Sequence, residues 1–347
     1  MAPLLAVAEE LRKLEPHAEF LFVGTKKGPE RKMAEAAGIR FEAIPAAKFR
    51  RYFSFSNFTD IFVFLGSIIA ARKLVRRFKP DVVFSAGGFV AVPVSWVGNM
   101  AGAKIVIHQQ DARVGLSNRL ISPMADVITT AFERTAKDFY SGSGVTGKLK
   151  PTAEWVGNPV RRDFFTPASP DAKKKFGLSS ELPVLLVVGG ATGAAQINEV
   201  VEDCVGELVK THQVIHVTGM GKSIEFKHPN YHQYEFLNHD YPDAMKLADI
   251  VISRAGLSSI AELSALGKIS IIVPMPGTHQ EDNAEILSSR HAAVVLSKEE
   301  FTPEDLPRIV TSLKFNVGRQ KSLQEKMAGI IPHDAAARIA KLIHDHA

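Results

Sequence analysis

From Glu19 onward, short β-branched, aliphatic or aromatic runs alternate with stretches of helical spacing, the pattern of parallel strands joined by crossover helices. In the first half the pattern predicts strands at Phe20 to Val23, Arg40 to Ile44, Asp81 to Ser85, Lys104 to His108, Asp126 to Thr130 and Glu154 to Val156. In the second half it predicts them at Val184 to Val188, Gln213 to Val217, Tyr234 to Leu237, Asp249 to Ser253 and Ser270 to Val273. The near-continuous apolar character of LPVLLVVGG and ISIIVP fits strands buried on both faces. The fold class is α/β, and two doubly wound parallel sheets are expected.

Between the halves, GNPVRRDFFTPASPDAKKKFG carries Pro159, Pro167 and Pro170 and a rise in charge density, so it reads as an interdomain linker. A chain of 347 residues exceeds what one core usually organises. We therefore expect a first domain over 1–158 and a second over 159–330, with the terminal helix of 331–347 able to pack back on the first or against the second. The composition, 46% hydrophobic and 23% charged, is that of a globular chain and excludes disorder. The single cysteine, Cys204, fits a small buried position in a helix and a reducing compartment. The first residues lack the basic start and cleavage site of a secretory signal. The apolar run Ile61 to Ala71 is eleven residues, short of the roughly 20 that span a bilayer. A net charge of +5 favours an anionic partner without choosing among nucleic acid, lipid headgroups and phosphorylated substrates.

Several motifs could carry chemistry. VVGGATGAAQIN, Val187 to Asn198, joins an apolar strand to a helix through a Gly-Gly turn. Backbone N–H groups there, with the helix dipole, would cradle a diphosphate, although a tight packing turn fits the motif alone equally well. FSAGGFVAVP repeats the arrangement at Gly87 and Gly88. In ISRAGLSSIAELSALGK, Ser258 or Ser259 is suited to cap a helix, and Glu262 either reaches back to that helix or accepts both ribose hydroxyls of a nucleotide. PMPGTHQEDNAEIL offers His279, Gln280 and Asn283 for sugar hydroxyls, with no second histidine or cysteine at zinc spacing. IHQQDARVGLSNRL offers His108, Asp111 and Asn118, and Asp111 reads either as a base or as a helix cap.

Taken together, AGGFVAVP, IHQQDARVGLSN, VGNPVR, VVGGATGAAQIN, SRAGLSSIAELSALGK and HQEDNA occur in the order and rough spacing of one family. Over nearly its whole length the chain resembles the peptidoglycan N-acetylglucosaminyltransferases of glycosyltransferase family 28. This resemblance implies a GT-B fold, two Rossmann-like domains facing a cleft. Its activity would be inverting transfer of N-acetylglucosamine (GlcNAc) from UDP-GlcNAc to a lipid-linked N-acetylmuramic acid (MurNAc) pentapeptide. The enzyme would work peripherally on the anionic cytoplasmic face of the cell membrane, with no metal, cofactor or nucleic acid.

By motif position, Arg161 and the turn Gly190, Ala191, Thr192, Gly193 would hold the donor diphosphate, and the Leu237 backbone would meet uracil. Leu257, Ser258, Ser259, Ile260, Ala261 and Glu262 would wrap the nucleotide, with Glu262 on the ribose, while His279, Gln280 and Asn283 would bind the sugar. Gly87, Gly88, Asp111 and Asn118 would fall in the acceptor half, with Asp111 and His108 as candidate bases. Between Ile61 and Phe78, the core stripe would be Ile61, Leu65, Ile68 and Val75; Phe62, Ile69, Lys73 and Arg76 would form an apolar and basic face for lipid.

The family usually has serine where this chain has Ala191, asparagine where it has Asp111, and glutamate where it has Gln109. The resemblance also implies a strand and a GGTGGH-type turn ahead of APLLAVAEEL. On the sequence as it stands, the expectation is a sheet without its central first strand and a protein that binds donor but transfers poorly. Two rival functions are a UDP-sugar transferase for another lipid acceptor and a nucleotide-sugar binding protein without turnover.

Overall fold

The structure is a computed structural model that describes residues 1–26, 30–46, 56–140, 153–179, 181–189 and 194–347. It divides into two compact units, Met1–Pro159 with His333–Ala347, and Val160–Pro332. The strands of the first are β1 (Leu21–Gly24), β2 (Arg40–Ala43), β3 (Val82–Ser85), β4 (Lys104–Gln109), β5 (Val127–Thr130) and β6 (Ala153–Trp155). Those of the second are β7 (Val184–Val188), β8 (Gln213–Val217), β9 (Tyr231–Tyr234), β10 (Ile250–Ser253), β11 (Ile269–Ile272) and β12 (Val294–Val295). Every pairing between these strands is parallel.

The second unit holds one six-stranded sheet in the order β12-β11-β10-β7-β8-β9. Leu185, Val187, Ile250, Ile252, Ile269 and Ile271 point to one face, where Ile197, Val201, Val205 and Leu208 of the Ala195–Leu208 helix cover them. The alternate residues Val184, Leu186, Val188 and Val251 are also buried. Both faces of the central strands are therefore enclosed, which is why these segments are apolar throughout. Each such side chain contributes about 1.5–3 kcal/mol by burial.

In the first unit the described strands form two sheets, β3-β4-β5-β6 and the pair β1-β2, rather than the single sheet expected. Ile105, Ile107 and Ile128 form one core face. On the other face Val106 and Val127 meet Val7 of the Ala2–Leu14 helix and Ile339, Ala340 and Ile343 of the Ala335–His344 helix. The terminal helix is thus part of the first unit's core. Leu21 and Val23 of β1 pack with Ala71, Leu74 and Val75 of the Ser56–Phe78 helix and with Val83 of β3.

Three sequence readings are corrected. The strand expected at Tyr234 to Leu237 lies three residues earlier. β9 pairs Tyr231–Tyr234 with Val214–Val217 and ends where its partner ends, leaving Leu237 in the following loop. The supposed linker does contain the boundary between the units, after Pro159, but from Val160 onward it is built into the second unit, with Phe164 and Phe176 buried and Ser169 bonded through N–H and hydroxyl to the Asp243 carboxylate. Leu65, assigned to the core stripe, is 51% exposed; Val75 is buried as expected, and the Ile61 side chain lies outside the described residues.

Candidate functional site

In the second unit the candidate residues gather beyond the carboxyl ends of β7, β10 and β11, the usual ligand edge of a parallel sheet. Helices Ala195–Leu208, Leu257–Leu266 and His279–Ser289 begin there. Gly190, Ala191, Thr192 and Gly193 lie outside the described residues. The Leu257–Leu266 helix is capped at Gly256, with no side-chain bond to its first turn. Ser258 and Ser259 therefore sit inside the helix rather than capping it, which corrects the sequence reading. The side chains of Leu257, Ile260 and Ala261 are buried, so only their backbone is placed to serve a ligand.

Thr278 caps the His279–Ser289 helix by accepting from the Gln280 N–H. The Gln280 carbonyl oxygen, Oε1, accepts from Met275 N–H at 3.1 Å, so this side chain pins the loop while His279 stays exposed. Asn283 is fully buried and donates to the Ala255 carbonyl at 3.1 Å. It braces the β10 exit from below, and its expected contact with the sugar is corrected to this supporting role.

Glu262 and Arg161, distant in sequence, come together with Tyr241, which the sequence reading missed. Glu262 is only partly buried as a residue. Its carboxyl end is nonetheless enclosed beside the Tyr241 hydroxyl, Arg161 and Asp163, and burial pushes its pKa up to about 8 against the pull of Arg161. The Tyr241 hydroxyl is pushed well up by the same burial and by Glu262. Phe164 packs edge-on against Tyr241 at 6.1 Å between ring centroids, and the Arg161 guanidinium lies over the Phe164 ring at 5.5 Å. At neutral pH this is a carboxylic acid ready to exchange hydrogen bonds with hydroxyls, beside a cation.

Two further groups at this edge were not singled out from sequence. Asn198 donates to the Thr218 carbonyl at 2.8 Å while its own oxygen faces His216 Nε2 at 3.2 Å, tying the Ala195–Leu208 helix to the β8 exit. Arg254, the residue after β10, is 9% exposed. Its Nη1 donates to the Val273 and Pro274 carbonyls at 3.1 and 3.2 Å, and its Nη2 to Gln196 Oε1 at 3.2 Å.

In the first unit, Gly87 and Gly88 follow β3 with φ of +93° and +96°, a conformation that favours glycine. Their N–H groups donate to Ser85 Oγ and Ser117 Oγ, both at 3.1 Å. Gln109 organises the neighbouring loop. Its amide nitrogen donates to the Asp111 and Arg113 carbonyls, and its oxygen accepts from Gly115 N–H and Asn118 Nδ2. Asn118 is buried, and its Oδ1 has no partner. Asp111 is partly exposed.

His108 is fully enclosed, with Nδ1 at 3.0 Å from Thr129 Oγ1 and Nε2 at 3.3 Å from Asn158 Oδ1. Burial lowers its pKa to about 4. Both ring nitrogens are engaged inside the core, which corrects its assignment as a base for an acceptor hydroxyl.

On the Ser56–Phe78 helix, Phe62 and Ile69 are 73% and 72% exposed, next to exposed Arg72, Lys73 and Arg76. Among the described residues no helix is long and apolar enough to cross a membrane.

Two parallel-sheet α/β units, with nucleotide-type helix starts at the strand ends of the second, define the GT-B class of glycosyltransferase. The glycosyltransferase family 28 N-terminal domain matches residues 1–130 and the family 28 C-terminal domain residues 184–343. The chain is 32% identical to the UDP-N-acetylglucosamine--N-acetylmuramyl-(pentapeptide) pyrophosphoryl-undecaprenol N-acetylglucosamine transferase of Clostridium kluyveri, over 100% of this chain and 96% of the relative. It is 35% identical to the like-named protein of Lachnoclostridium phytofermentans, over 99% and 95%. Among solved structures, Acinetobacter baumannii MurG superposes with a TM-score of 0.71 at 22% identity, over 99% of this chain and 95% of that one. A putative UDP-N-acetylglucosamine 2-epimerase from Listeria monocytogenes gives 0.71 at 12% identity, over 100% and 94%, so likeness at this level speaks for the fold alone. The chain belongs to glycosyltransferase family 28.

Proposed function

We propose that this protein transfers GlcNAc from UDP-GlcNAc to the C4 hydroxyl of undecaprenyl-diphosphate-MurNAc-pentapeptide, with inversion at the sugar's C1. The observation that carries the reading is end-to-end similarity to relatives named for this reaction, above 30% identity. The clustering of Arg161, Tyr241 and Glu262 supports it.

In the step itself the acceptor oxygen forms a bond to C1 as the bond from C1 to the β-phosphate oxygen breaks. The hydroxyl proton passes to a base, and UDP leaves with the bonding pair. Glu262 holds the ribose, Arg161 and the start of the Ala195–Leu208 helix face the diphosphate, and the helix dipole offsets the charge that develops on it. The Gly87 and Gly88 turn with Asn118 holds the acceptor, and Asp111, partly exposed beside them in the acceptor loop, takes the proton.

The test is UDP release from UDP-GlcNAc with and without a lipid-linked muramoyl-pentapeptide. Release that requires this acceptor is the expected result. Equal release with diacylglycerol, or UDP binding with no release at all, would replace the proposal with one of its rivals.

The second part of the proposal is the surface on which the acceptor is met. Phe62 and Ile69 insert at the headgroup boundary of an anionic leaflet while Lys73 and Arg76 pair with its phosphates, as an amphipathic helix does at an interface. This exposed apolar and basic face supports the reading of a peripheral protein at the cytoplasmic face of the membrane.

A further inference from the structure

Gln109, the last residue of β4, is 3% exposed, and its side-chain amide is used to the full. Nε2 donates to Asp111 O at 2.9 Å and to Arg113 O at 3.0 Å. Oε1 accepts from Asn118 Nδ2 at 2.7 Å and from Gly115 N–H at 3.3 Å. Two donors and two lone pairs are all that a primary amide has. These partners also set its orientation: turned over, it would put oxygen against two carbonyl oxygens and nitrogen against two N–H groups.

The main chain of Gln109 is fixed by the sheet, where it pairs with Thr130 of β5 and its carbonyl accepts from Ala131 N–H at 2.9 Å. From this anchor the side chain reaches across the loop of residues 110–115 to the start of the Leu116–Ile121 helix, which Gly115 caps. Thr135 Oγ1 donates to the Ala112 carbonyl at 3.0 Å, so the carbonyls of residues 111, 112 and 113 are all held. The backbone that carries the Asp111 side chain is thereby tied to β4.

A carboxylate cannot make this clasp. Glutamate at position 109 has the same reach but no N–H, and when ionised it sets a negative oxygen against the Asp111 and Arg113 carbonyls inside the fold. Gln109 and Asp111 are two of the positions where this chain departs from the family's usual glutamate and asparagine. The geometry makes the two departures one change: the amide closes the loop, and Asp111 is the single carboxylate within residues 108–118.

We propose that Gln109 is a positioning residue of the acceptor site, a neutral clasp that sets the Asp111 carboxylate for proton transfer and acts on the reaction through Asp111. The inference deepens the transferase reading above and rests on it, and in particular on Asp111 as the base. Because the clasp is complete before a substrate arrives, the loop needs no ordering at that step.

The experiment is a double-mutant cycle in the full chain. It reads kcat for UDP release at saturating UDP-GlcNAc and lipid-linked muramoyl-pentapeptide, with UDP affinity by calorimetry and folding by thermal melting. Asp111→Asn removes the base and is expected to lower kcat about 10²- to 10⁴-fold. Gln109→Glu keeps an oxygen for Asn118 and Gly115 and loses the two donated bonds. It is expected to lower kcat about 10- to 100-fold, with UDP affinity within about 2-fold of the parent. In the Asp111→Asn background the same Gln109→Glu change is expected to lower kcat by less than about 3-fold.

Effects that multiply would show Gln109 bracing the loop independently of Asp111, and that result overturns the proposal. So does an unchanged kcat in folded Gln109→Glu. A double variant about tenfold or more faster than Asp111→Asn alone also overturns it, since a carboxylate would then serve from either position. Should Gln109→Glu not fold, Gln109→Met enters the same cycle and is judged by the same coupling. A parent that releases no UDP with this acceptor, or an Asp111→Asn variant as fast as the parent, would instead remove the transferase reading or its base.

Discussion

The two units solve the same architectural problem with different completeness. In the second, a continuous six-stranded sheet runs under the candidate site. Polar side chains at its carboxyl edge are bonded down to main-chain carbonyls, Asn198 to Thr218, Asn283 to Ala255 and Arg254 to Val273 and Pro274. In the first, the described strands split into a group of four and a pair. Buried polar atoms without partners occur in both, such as Asn118 Oδ1 and Asn158 Nδ2 in the first unit and Arg254 Nε and Ser270 Oγ in the second, so they do not set the units apart. A helix of the first unit, however, keeps Phe62, Leu65 and Ile69 in solvent. The candidate nucleotide site is thus tied down to one continuous sheet, while the unit proposed to meet a lipid-linked substrate keeps an apolar face.

The largest effect should come from breaking the rigid side. Leu185 is fully buried at the centre of β7, and Leu185→Ala should cost about 2–5 kcal/mol through lost burial and the cavity left behind. Val23 in β1 is only partly buried, so Val23→Ala should cost less than half as much. Urea unfolding followed by amide exchange measures both, and β1 and β2 should exchange well before β7 and β10 in the parent. Equal protection of the two pairs would erase the contrast.

A second break acts through protons. Glu262 has a folded pKa of about 8 against an ordinary value of 4.5. The folded state holds more protons than the unfolded one across this window, so the stability from this group is full below pH 4.5 and lost as pH rises through 8. Glu262→Gln removes that dependence. At pH 9 the variant should melt higher than the parent by roughly 5 °C, with the gap closing at pH 4. Melting curves that stay parallel from pH 4 to 9 would show that the carboxyl is not held in its neutral form.

Much of this contrast was legible in the chain and part was not, for physical reasons. β7 and β8 lie where the apolar runs put them, because strands buried on both faces leave a signal that no partner needs to explain. β9 was displaced because its limits are set by its neighbour: Gly219 N–H still bonds Glu235 O beyond the strand, and the Glu235 carboxylate accepts from Gly221 N–H. The short strand Val294–Val295 was missed because two residues make no period. In the candidate site, the family resemblance named Arg161 and Glu262, which the fold brings together, but Tyr241 enters only through packing on Phe164. Arg254 sat inside a quoted motif, but its bonds to the β11 exit and to Gln196 are visible only in the fold. His108 shows the reverse error, since a histidine at a strand end looks functional until both its nitrogens are found occupied.

His108 offers a smaller and sharper test. Its folded pKa of about 4 lies below the ordinary 6.5. The unfolded state therefore binds the extra proton, and stability from this group is lost as pH falls from 6.5 to 4. His108→Gln leaves Thr129 and Asn158 imperfectly bonded at a cost of about 1–3 kcal/mol, and it flattens the acid limb. Turnover per folded molecule should stay within about 10-fold of the parent, where loss of a true base costs about 10² to 10⁴. A 10³-fold loss in a folded variant would restore His108 to the reaction.

The smallest effect on stability should come with the largest on location. Phe62 and Ile69 face solvent, so Phe62→Ser with Ile69→Ser should change unfolding free energy by no more than about 0.5 kcal/mol for each exposed site. Sinking these two side chains into a headgroup boundary gains about 1.5–3 kcal/mol apiece, so the double variant should bind anionic vesicles at least about tenfold more weakly than the parent. Lys73→Ser with Arg76→Ser removes roughly 1 kcal/mol per charge near the surface, and should act on phosphatidylglycerol vesicles but not on phosphatidylcholine ones. Sedimentation with both vesicle types separates the contributions: the apolar pair lowers binding to each, and the basic pair erases the difference between them. If the parent binds neutral and anionic vesicles alike, or if the double serine variant sediments as the parent does, the exposed face of this helix is not what meets the lipid.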